Sequence, residues 1–276
     1  MSSSEPGEVV EMVGKQVRVR LASGETRVCT VRTKVVVGDR VTVQYGSVTT
    51  CAPRQTELAR SADHGPRVVC ANATLLVSVS SATDPPFRPG LVDRVLVAAS
   101  ASRMRAALVL NKCDLGMPED VLELLAKYEA LGYPIFLVSA VQEKGLEPLR
   151  ALLAEHTSVL VGHSGVGKSS LTMALIPGVT IDTGELDPWG RGRHTTIAAR
   201  LFDIPTGGRL IDVPGIRDFG VGGIPREELK EHFPEFDGIV CKYRGCMHNG
   251  EDGCVADAHT WKDRMDSYQK LLSEVV

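Results

Sequence analysis

The segment that decides the fold is SVLVGHSGVGKSSL, residues 158–171. Its apolar start at residues 159–161 predicts a buried strand, and the apolar residues at 171–175 predict a helix. Between them lies the spacing G-x-x-x-x-G-K-S, in which glycines allow the backbone to approach an anion and turned amides face its oxygens. The sequence therefore predicts a loop that binds the phosphates of a nucleoside triphosphate.

The residues of this loop have distinct expected roles. Lys168 is predicted to be catalytic because its charge faces the β- and γ-phosphates, and the Ser169 hydroxyl is a predicted Mg²⁺ ligand. The predicted nucleotide-binding residues of the loop are Gly162, His163, Ser164, Gly165, Val166, Gly167, Lys168, Ser169 and Ser170. A glycine-rich turn without a ligand is the alternative explanation.

A second motif, NKCD at residues 111–114, directly follows the apolar run at 106–110. Ligands of open α/β sheets bind outside the carboxyl ends of the strands. There Asp114 can accept hydrogen bonds from the ring N–H and the exocyclic amine of guanine, an arrangement that adenine lacks. Asn111 can bond the other edge of the base, and the stem of Lys112 can cover the ring. Taken alone, the four residues are better explained as a polar turn between strand and helix.

Two further motifs follow predicted strands. Ser139 and Ala140 end the strand predicted at 135–138, and their backbone amides are expected to contact the guanine. The DVPG motif at 212–215 ends another strand, so that Asp212 is expected to hold Mg²⁺ through water and Gly215 to contact the γ-phosphate.

Hydrolysis requires a residue that orients the attacking water. The position after DVPG, where Ras-type GTPases carry a glutamine, is Ile216, which forms no hydrogen bond, so slow intrinsic turnover is expected. Thr196 is a predicted catalytic residue that binds Mg²⁺ and the nucleotide, and Thr195 is the alternative Mg²⁺ ligand. His194 is the predicted catalytic base, because it lies next to these threonines and can accept a proton from water. An exposed loop histidine is the competing explanation.

Four metal-binding side chains crowd the segment CKYRGCMHNGEDGC at residues 241–254. Cys241, Cys246, His248 and Cys254 supply three thiolates and one imidazole, a closed set typical of structural Zn²⁺. The spacing alone leaves free buried cysteines as the alternative.

The composition limits the remaining possibilities. The 276 residues carry 31 Lys+Arg and 34 Asp+Glu, so the overall charge does not indicate a polyanion partner. Residues 13–60, in contrast, hold nine basic and three acidic side chains, which is a hint of nucleic-acid contact. Valine-rich runs at 17–21, 28–31, 35–37 and 41–43 predict a small barrel of about five strands. Its ligand is either an oligonucleotide or a protein.

The order of these motifs is unusual, because NKCD and Ser-Ala precede the phosphate loop, which Ras-type GTPases carry first. On the segments VLNKCDL, LVGHSGVGKSSL, GRGRHTT, DVPGIRDFG and CKYRGCMH, the chain resembles the circularly permuted, ribosome small-subunit-dependent GTPases (RsgA/YjeQ type). The sequence and this resemblance together predict a multidomain α/β protein. We expect a disordered tail at 1–12, an OB-type β-barrel at 13–56, a circularly permuted P-loop GTPase domain at 57–220 and a helical zinc domain at 221–276.

The resemblance also implies an activity and partners. By this resemblance, we expect the protein to hydrolyse GTP to GDP with Mg²⁺ and to carry one structural Zn²⁺. We also expect the small ribosomal subunit to stimulate hydrolysis and the protein to contact its rRNA, in a nucleotide-dependent way, during late maturation. Two departures from the family are the short basic loop at 32–34 and Ile197 in place of a third threonine.

No segment is long and apolar enough for a membrane helix, and the N-terminus is unlike a signal peptide. A cytoplasmic monomer without membrane or DNA partners is therefore expected. Two other functions stay open at this point. They are a nucleotide-gated RNA-binding scaffold with negligible turnover, and a GTP-dependent metallochaperone.

Overall fold

A computed structural model of the protein describes residues 4–60, 65–180, 199–213, 221 and 223–275. The strands are β1 (Glu5–Val13), β2 (Gln16–Leu21), β3 (Thr26–Val31), β4 (Arg40–Gln44), β5 (Ser47–Cys51), β6 (Glu57–Arg60), β7 (Arg67–Ala71), β8 (Leu75–Ser81), β9 (Arg105–Asn111), β10 (Ile135–Leu137), β11 (Thr157–Val161), β12 (Arg200–Asp203) and β13 (Arg209–Asp212). The α-helices are α1 (Pro89–Ala101), α2 (Glu119–Ala130), α3 (Leu146–Ala154), α4 (Lys168–Leu175) and α5 (Lys262–Leu272).

The first five strands form a barrel in the order β1-β2-β3-β5-β4, which closes because β4 pairs back onto β1. Alternate side chains point inwards, as the period of two residues in a strand requires. The barrel core contains valines from β1, β2, β4 and β5, and Cys29 from β3. Val9, Val17, Val19, Val41 and Val43 are 0–4% exposed and belong to this core. The predicted five-stranded barrel is therefore confirmed.

One barrel strand comes from a segment for which the prediction was wrong. Residues 5–12, expected to be a disordered tail, form most of β1, and of the nine residues of that strand only Val9 is fully buried. The apolar alternation that marks a strand is consequently weak in this segment. Hydrogen bonds to β2 and β4 order it instead.

The valine run at 35–37 was expected to be a strand and is not one. Val37 forms an isolated bridge with Cys70, and the chain around it is held by the buried carboxylate of Asp39, which accepts hydrogen bonds from Arg54 at 2.7 and 2.9 Å. Val35 and Val37 are therefore core residues that lie in a loop and not in a strand.

The segment at 53–66 was expected to be a polar linker, but it contributes β6, which pairs with β7 and buries Leu58 to 1% exposure. A single buried leucine among polar residues is too weak a pattern for the sequence to predict a strand. The predicted domain boundaries themselves stay predictions.

Six further strands continue the sheet of the barrel, because β12 pairs with β1, and their order is β10-β9-β8-β11-β13-β12. The first five of these strands are mutually parallel, and β12 pairs antiparallel to β13. Apolar faces of α3 and α4 cover one side of this sheet, and those of α1 and α2 cover the other. Parallel strands buried on both faces read as continuous apolar runs, which is why the sequence located them.

The C-terminal part consists of 3-10 helices at Arg226–His232, Pro234–Phe236 and Ala256–Ala258, followed by α5. Its core contains Phe233, Phe236 and Tyr268, together with Val97 of α1. The C-terminal part therefore packs directly against α1, one of the helices that cover the parallel strands. None of the helices in the described ranges has the length and apolar character needed to cross a membrane.

Candidate functional site

The parallel strands bring the predicted motifs to one edge of the sheet. NKCD begins with Asn111, the last residue of β9, and Asp212 ends β13. Ser139 and Ala140 follow β10, and the phosphate loop follows β11. Because all four strands run in the same direction, their carboxyl ends lie side by side.

The phosphate loop passes closely over neighbouring residues. A Cβ on Gly162 would lie 2.0 Å from the carbonyl oxygen of Val79 in β8, and one on Gly167 would lie 2.3 Å from Nδ2 of Asn111. Both glycines have positive φ, 155° and 89°. Only glycine combines this backbone conformation with this close approach. The structure therefore requires glycine at both of these motif positions.

Asn111 joins three of the motifs. Its Nδ2 donates hydrogen bonds to the carbonyl oxygens of Val166 at 3.0 Å and Gly167 at 3.4 Å, and its Oδ1 accepts one from the amide of Ala140 at 3.0 Å. The side chain is 2% exposed. Sequence reasoning expected Asn111 at the base and missed this linking role, because nothing in the local pattern connects residue 111 to residues 140 and 166.

Lys112 lies against a segment that the sequence did not single out. Its Nζ donates a hydrogen bond to the carbonyl oxygen of Asp84 at 2.8 Å, and the Asp84 carboxylate lies 3.5 Å away. Pro85 lies next to Gly165 of the phosphate loop, 3.7 Å from where a Cβ would be. The Thr-Asp-Pro-Pro turn directly after β8 was the available signal, since it lies at the same sheet edge.

The remaining base-side residues differ in exposure. Asp114 is exposed, in the 3-10 turn Cys113–Leu115, while Ser139 is fully buried and its Oγ accepts a hydrogen bond from the amide of Gln142 at 3.2 Å. Asp114 is thus accessible to a ligand, and Ser139 shapes its own turn.

Lys168 begins α4 and donates hydrogen bonds to the carbonyl oxygens of Gly162 at 2.7 Å and His163 at 2.8 Å. Burial raises the pKa of Asp212, and the positive charges of Lys168 and Arg200 oppose that rise. The predicted phosphate-binding lysine and the predicted Mg²⁺ ligand therefore influence each other electrostatically. Ser169 and Ser170 are half-buried in the first turn of the same helix.

Several predicted site residues lie outside the described residues. They are His194, Thr195, Thr196, Gly215 and Ile216.

The cysteine-histidine segment forms a compact cluster. The ligand atoms of Cys241, Cys246, His248 and Cys254 all lie within 4.8 Å of one another. The Sγ atoms of Cys241 and Cys254 lie 3.6 and 3.5 Å from Nδ1 of His248. Three thiols and one imidazole converging in this way fit a tetrahedral Zn²⁺ site with no position left for substrate.

Glu251 supports this cluster and was not predicted from sequence. Its carboxylate accepts hydrogen bonds from the amides of Met247 and Asn249, both at 2.7 Å, and from Sγ of Cys246 at 3.5 Å. Hydrogen bonds of this kind orient metal ligands. A carboxylate between two ligands of a cysteine cluster was the available signal.

Metal removal is expected to disorder the C-terminal part. The His248 ring packs against Phe236 at an interplanar angle of 50°, with 4.9 Å between centroids. Loss of the metal would therefore loosen the packing of Phe236 as well as the loop. We expect one zinc per chain by mass spectrometry, and His248→Ala to lose it together with the near-UV circular dichroism of this core. Cys51→Ala, a cysteine outside the cluster, should retain the full zinc content. Equal zinc in both variants would contradict the assignment.

The chain is similar to known GTPases over almost its whole length. Residues 51–222 match the family model RsgA GTPase. The small ribosomal subunit biogenesis GTPase RsgA of Pseudomonas putida is 39% identical over 293 residues, covering 98% of this chain and 85% of that protein. The protein of the same name from Pseudomonas aeruginosa is 38% identical over 295 residues, covering 100% and 87%.

Two solved structures are similar in fold. YjeQ from Thermotoga maritima superposes with a TM-score of 0.79 at 29% identity, covering 99% of this chain and 98% of that one. YloQ, described as a circularly permuted GTPase, has a TM-score of 0.74 at 24% identity over 99% and 95%, a likeness of fold alone.

Proposed function

The chain belongs to the RsgA GTPase family, and from this we propose that it hydrolyses GTP to GDP and phosphate in the biogenesis of the small ribosomal subunit. The observation that carries the proposal is the hydrogen bonding of Asn111 to both the phosphate loop and Ala140. This supports the proposal, because it holds the predicted base-recognition and phosphate-binding motifs side by side, as a single pocket for GTP requires. Such a role in assembling subunits would be carried out in the cytoplasm.

In this pocket each side chain has a proposed task. Asp114 accepts the guanine N–H groups, and the amides of the phosphate loop bind phosphate oxygens. Lys168 turns from the loop carbonyls to the β- and γ-phosphates, where its charge stabilises the transition state. Ser169, Asp212 and Thr196 would hold Mg²⁺, which when bound neutralises charge on the transferred phosphate. Asp212 is half-buried, and the positive charges of Lys168 and Arg200 favour its ionised form, which is the form that binds a metal ion.

His194 is proposed to take the proton of the attacking water. His194→Ala should keep its affinity for GTP but lose most of the hydrolysis that added small subunits stimulate, by about 10²-fold or more, because a positioned general base contributes that much. Phosphate release with and without small subunits measures the effect. His259→Ala replaces an exposed histidine of the C-terminal part and should behave as the wild type. Unchanged stimulated turnover in His194→Ala would exclude this role.

The same assay separates the enzyme from a nucleotide-gated scaffold. Ile216 in place of a water-orienting glutamine favours slow intrinsic turnover. An enzyme will release phosphate faster when small subunits are added, whereas a scaffold will bind them in a nucleotide-dependent way without turnover. The closed four-ligand cluster favours a structural zinc over metal delivery.

We further infer that a limited set of barrel cations contacts rRNA. Ion pairs within the fold occupy four of the basic residues counted above, namely Arg18, Arg20, Arg27 and Arg54. Of the other basic residues at 13–60, four are exposed and form no ion pair with the described part of the chain, namely Lys15, Arg32, Lys34 and Arg40. Phosphate contacts by exposed cations make binding salt-dependent, and these four are the proposed source of that dependence.

A further inference from the structure

A row of alternating charges crosses from the barrel to the predicted Mg²⁺ ligand. Glu11 of β1 pairs in register with Arg18 of β2 on one side and with Arg200 of β12 on the other, and Arg200 pairs with Asp212 of β13. Residues directly opposite each other on neighbouring strands place their side chains on the same face, about 4.5–5.5 Å apart at Cβ. The row Arg18, Glu11, Arg200, Asp212 therefore lies on one face of four adjacent strands.

Glu11 is bound to both of its neighbours in this row. Its Oε2 accepts a hydrogen bond from Nε of Arg18 at 2.7 Å, and its Oε1 lies 3.0 Å from Nε of Arg200. The register of β1 shifts between Val9 and Glu11, a bulge of the kind that redirects a side chain. Glu11 is 18% exposed, whereas Arg200 is 51% exposed and has room to change its rotamer.

Arg200 thus stands between two carboxylates and, in the described residues, forms its ion pair with Glu11 and not with Asp212. If the guanidinium turned to Asp212, it would occupy the carboxylate oxygens that a metal ion needs. Both partners would gain a charge-assisted hydrogen bond, so the two arrangements compete.

We propose that Glu11 is a positioning residue for Asp212, because it holds the guanidinium of Arg200 on the barrel side and leaves the Asp212 carboxylate to Mg²⁺. The proposal rests on the GTPase function proposed above. It follows that β1 of the barrel affects Mg²⁺ binding at the nucleotide site, because displacement of β1 from β12 would release Arg200 towards Asp212.

The test compares how nucleotide release depends on Mg²⁺ in a set of variants, each of which replaces a charged side chain by glutamine. The measured quantity is the Mg²⁺ concentration at which release of a fluorescent N-methylanthraniloyl-GDP is slowed by half. Glu11→Gln should raise that concentration about fivefold, the effect of a partly exposed charge pair. The double variant Glu11→Gln, Arg200→Gln should return to within about twofold of the wild type, because the competing guanidinium is gone.

Glu8→Gln is the matched control. Glu8 also joins the barrel to the sheet, through Arg209 at 2.7 Å, but Arg209 lies at the start of β13, away from Asp212. This variant should leave the Mg²⁺ dependence unchanged. Equal shifts in Glu8→Gln and Glu11→Gln, or no rescue by Arg200→Gln, would overturn the proposal. A wild-type protein that binds no guanine nucleotide would instead overturn the GTPase function on which it rests.

Discussion

Replacing Arg264 by methionine is expected to lower the free energy of unfolding of the C-terminal part by about 3–5 kcal/mol, the usual cost of breaking a buried ion pair from one side. The guanidinium is completely buried and donates hydrogen bonds to Asp93 of α1 and to Glu235, both at 2.6 Å. Tyr128 of α2 also donates to Asp93 at 2.6 Å. Loss of Arg264 would leave two carboxylates buried without their cation.

The penalty should depend on pH. Burial raises the pKa of Asp93, and the charge of Arg264 opposes that rise. Without Arg264 the folded pKa of Asp93 lies further above its unfolded value. The loss of stability caused by Arg264→Met is therefore small below the pKa that Asp93 has in the unfolded chain. It grows as the pH rises through the pKa of Asp93 in the folded variant.

Trp261 provides the probe for this prediction, because its ring packs edge-on against Tyr128 at 5.4 Å between centroids. In a Trp189→Phe background its fluorescence during urea titration reports separation of α5 from α2. Arg94→Met is the control. Arg94 likewise joins α1 to the C-terminal part, through Glu274, but both side chains are partly exposed, so a loss below about 1 kcal/mol is expected. Equal losses in both variants would contradict a special role for the buried cluster.

Asp114→Asn is expected to weaken GDP binding about tenfold to hundredfold and to improve binding of xanthosine diphosphate. A bidentate contact with a base edge provides about 1–3 kcal/mol of discrimination. The asparagine amide would donate to the carbonyl oxygen that xanthine carries in place of the guanine amine, while its own carbonyl accepts the ring N–H. Asp114 is exposed at the site edge, so the change should not disturb packing.

Competition of GDP, xanthosine diphosphate and inosine diphosphate with a fluorescent GDP measures this change. Asp120→Asn alters an exposed carboxylate in the first turn of α2 and should leave all three affinities as they are. A loss of equal size for all three bases would mean that Asp114 acts through the fold and not through the guanine.

The sequence by itself determined the family and the α/β framework, and it predicted the chemistry of the candidate site. The phosphate loop, NKCD, the cysteine-histidine cluster and the buried strands are encoded by neighbours within about fifteen residues, where glycine spacing and apolar runs act directly on the backbone. Family membership, read from those motifs in their permuted order, was confirmed by relatives that span nearly the whole chain.

Only the tertiary structure decided how these pieces hold one another. Strand β1, the link that Asn111 makes to Val166, and the pair Arg264–Asp93 join residues that are distant in the chain. Such contacts depend on strand register and on which helix faces meet, and a register shift of one residue turns every side chain to the opposite face. Polar residues at these positions look like surface residues in the sequence, and only the fold makes them partners.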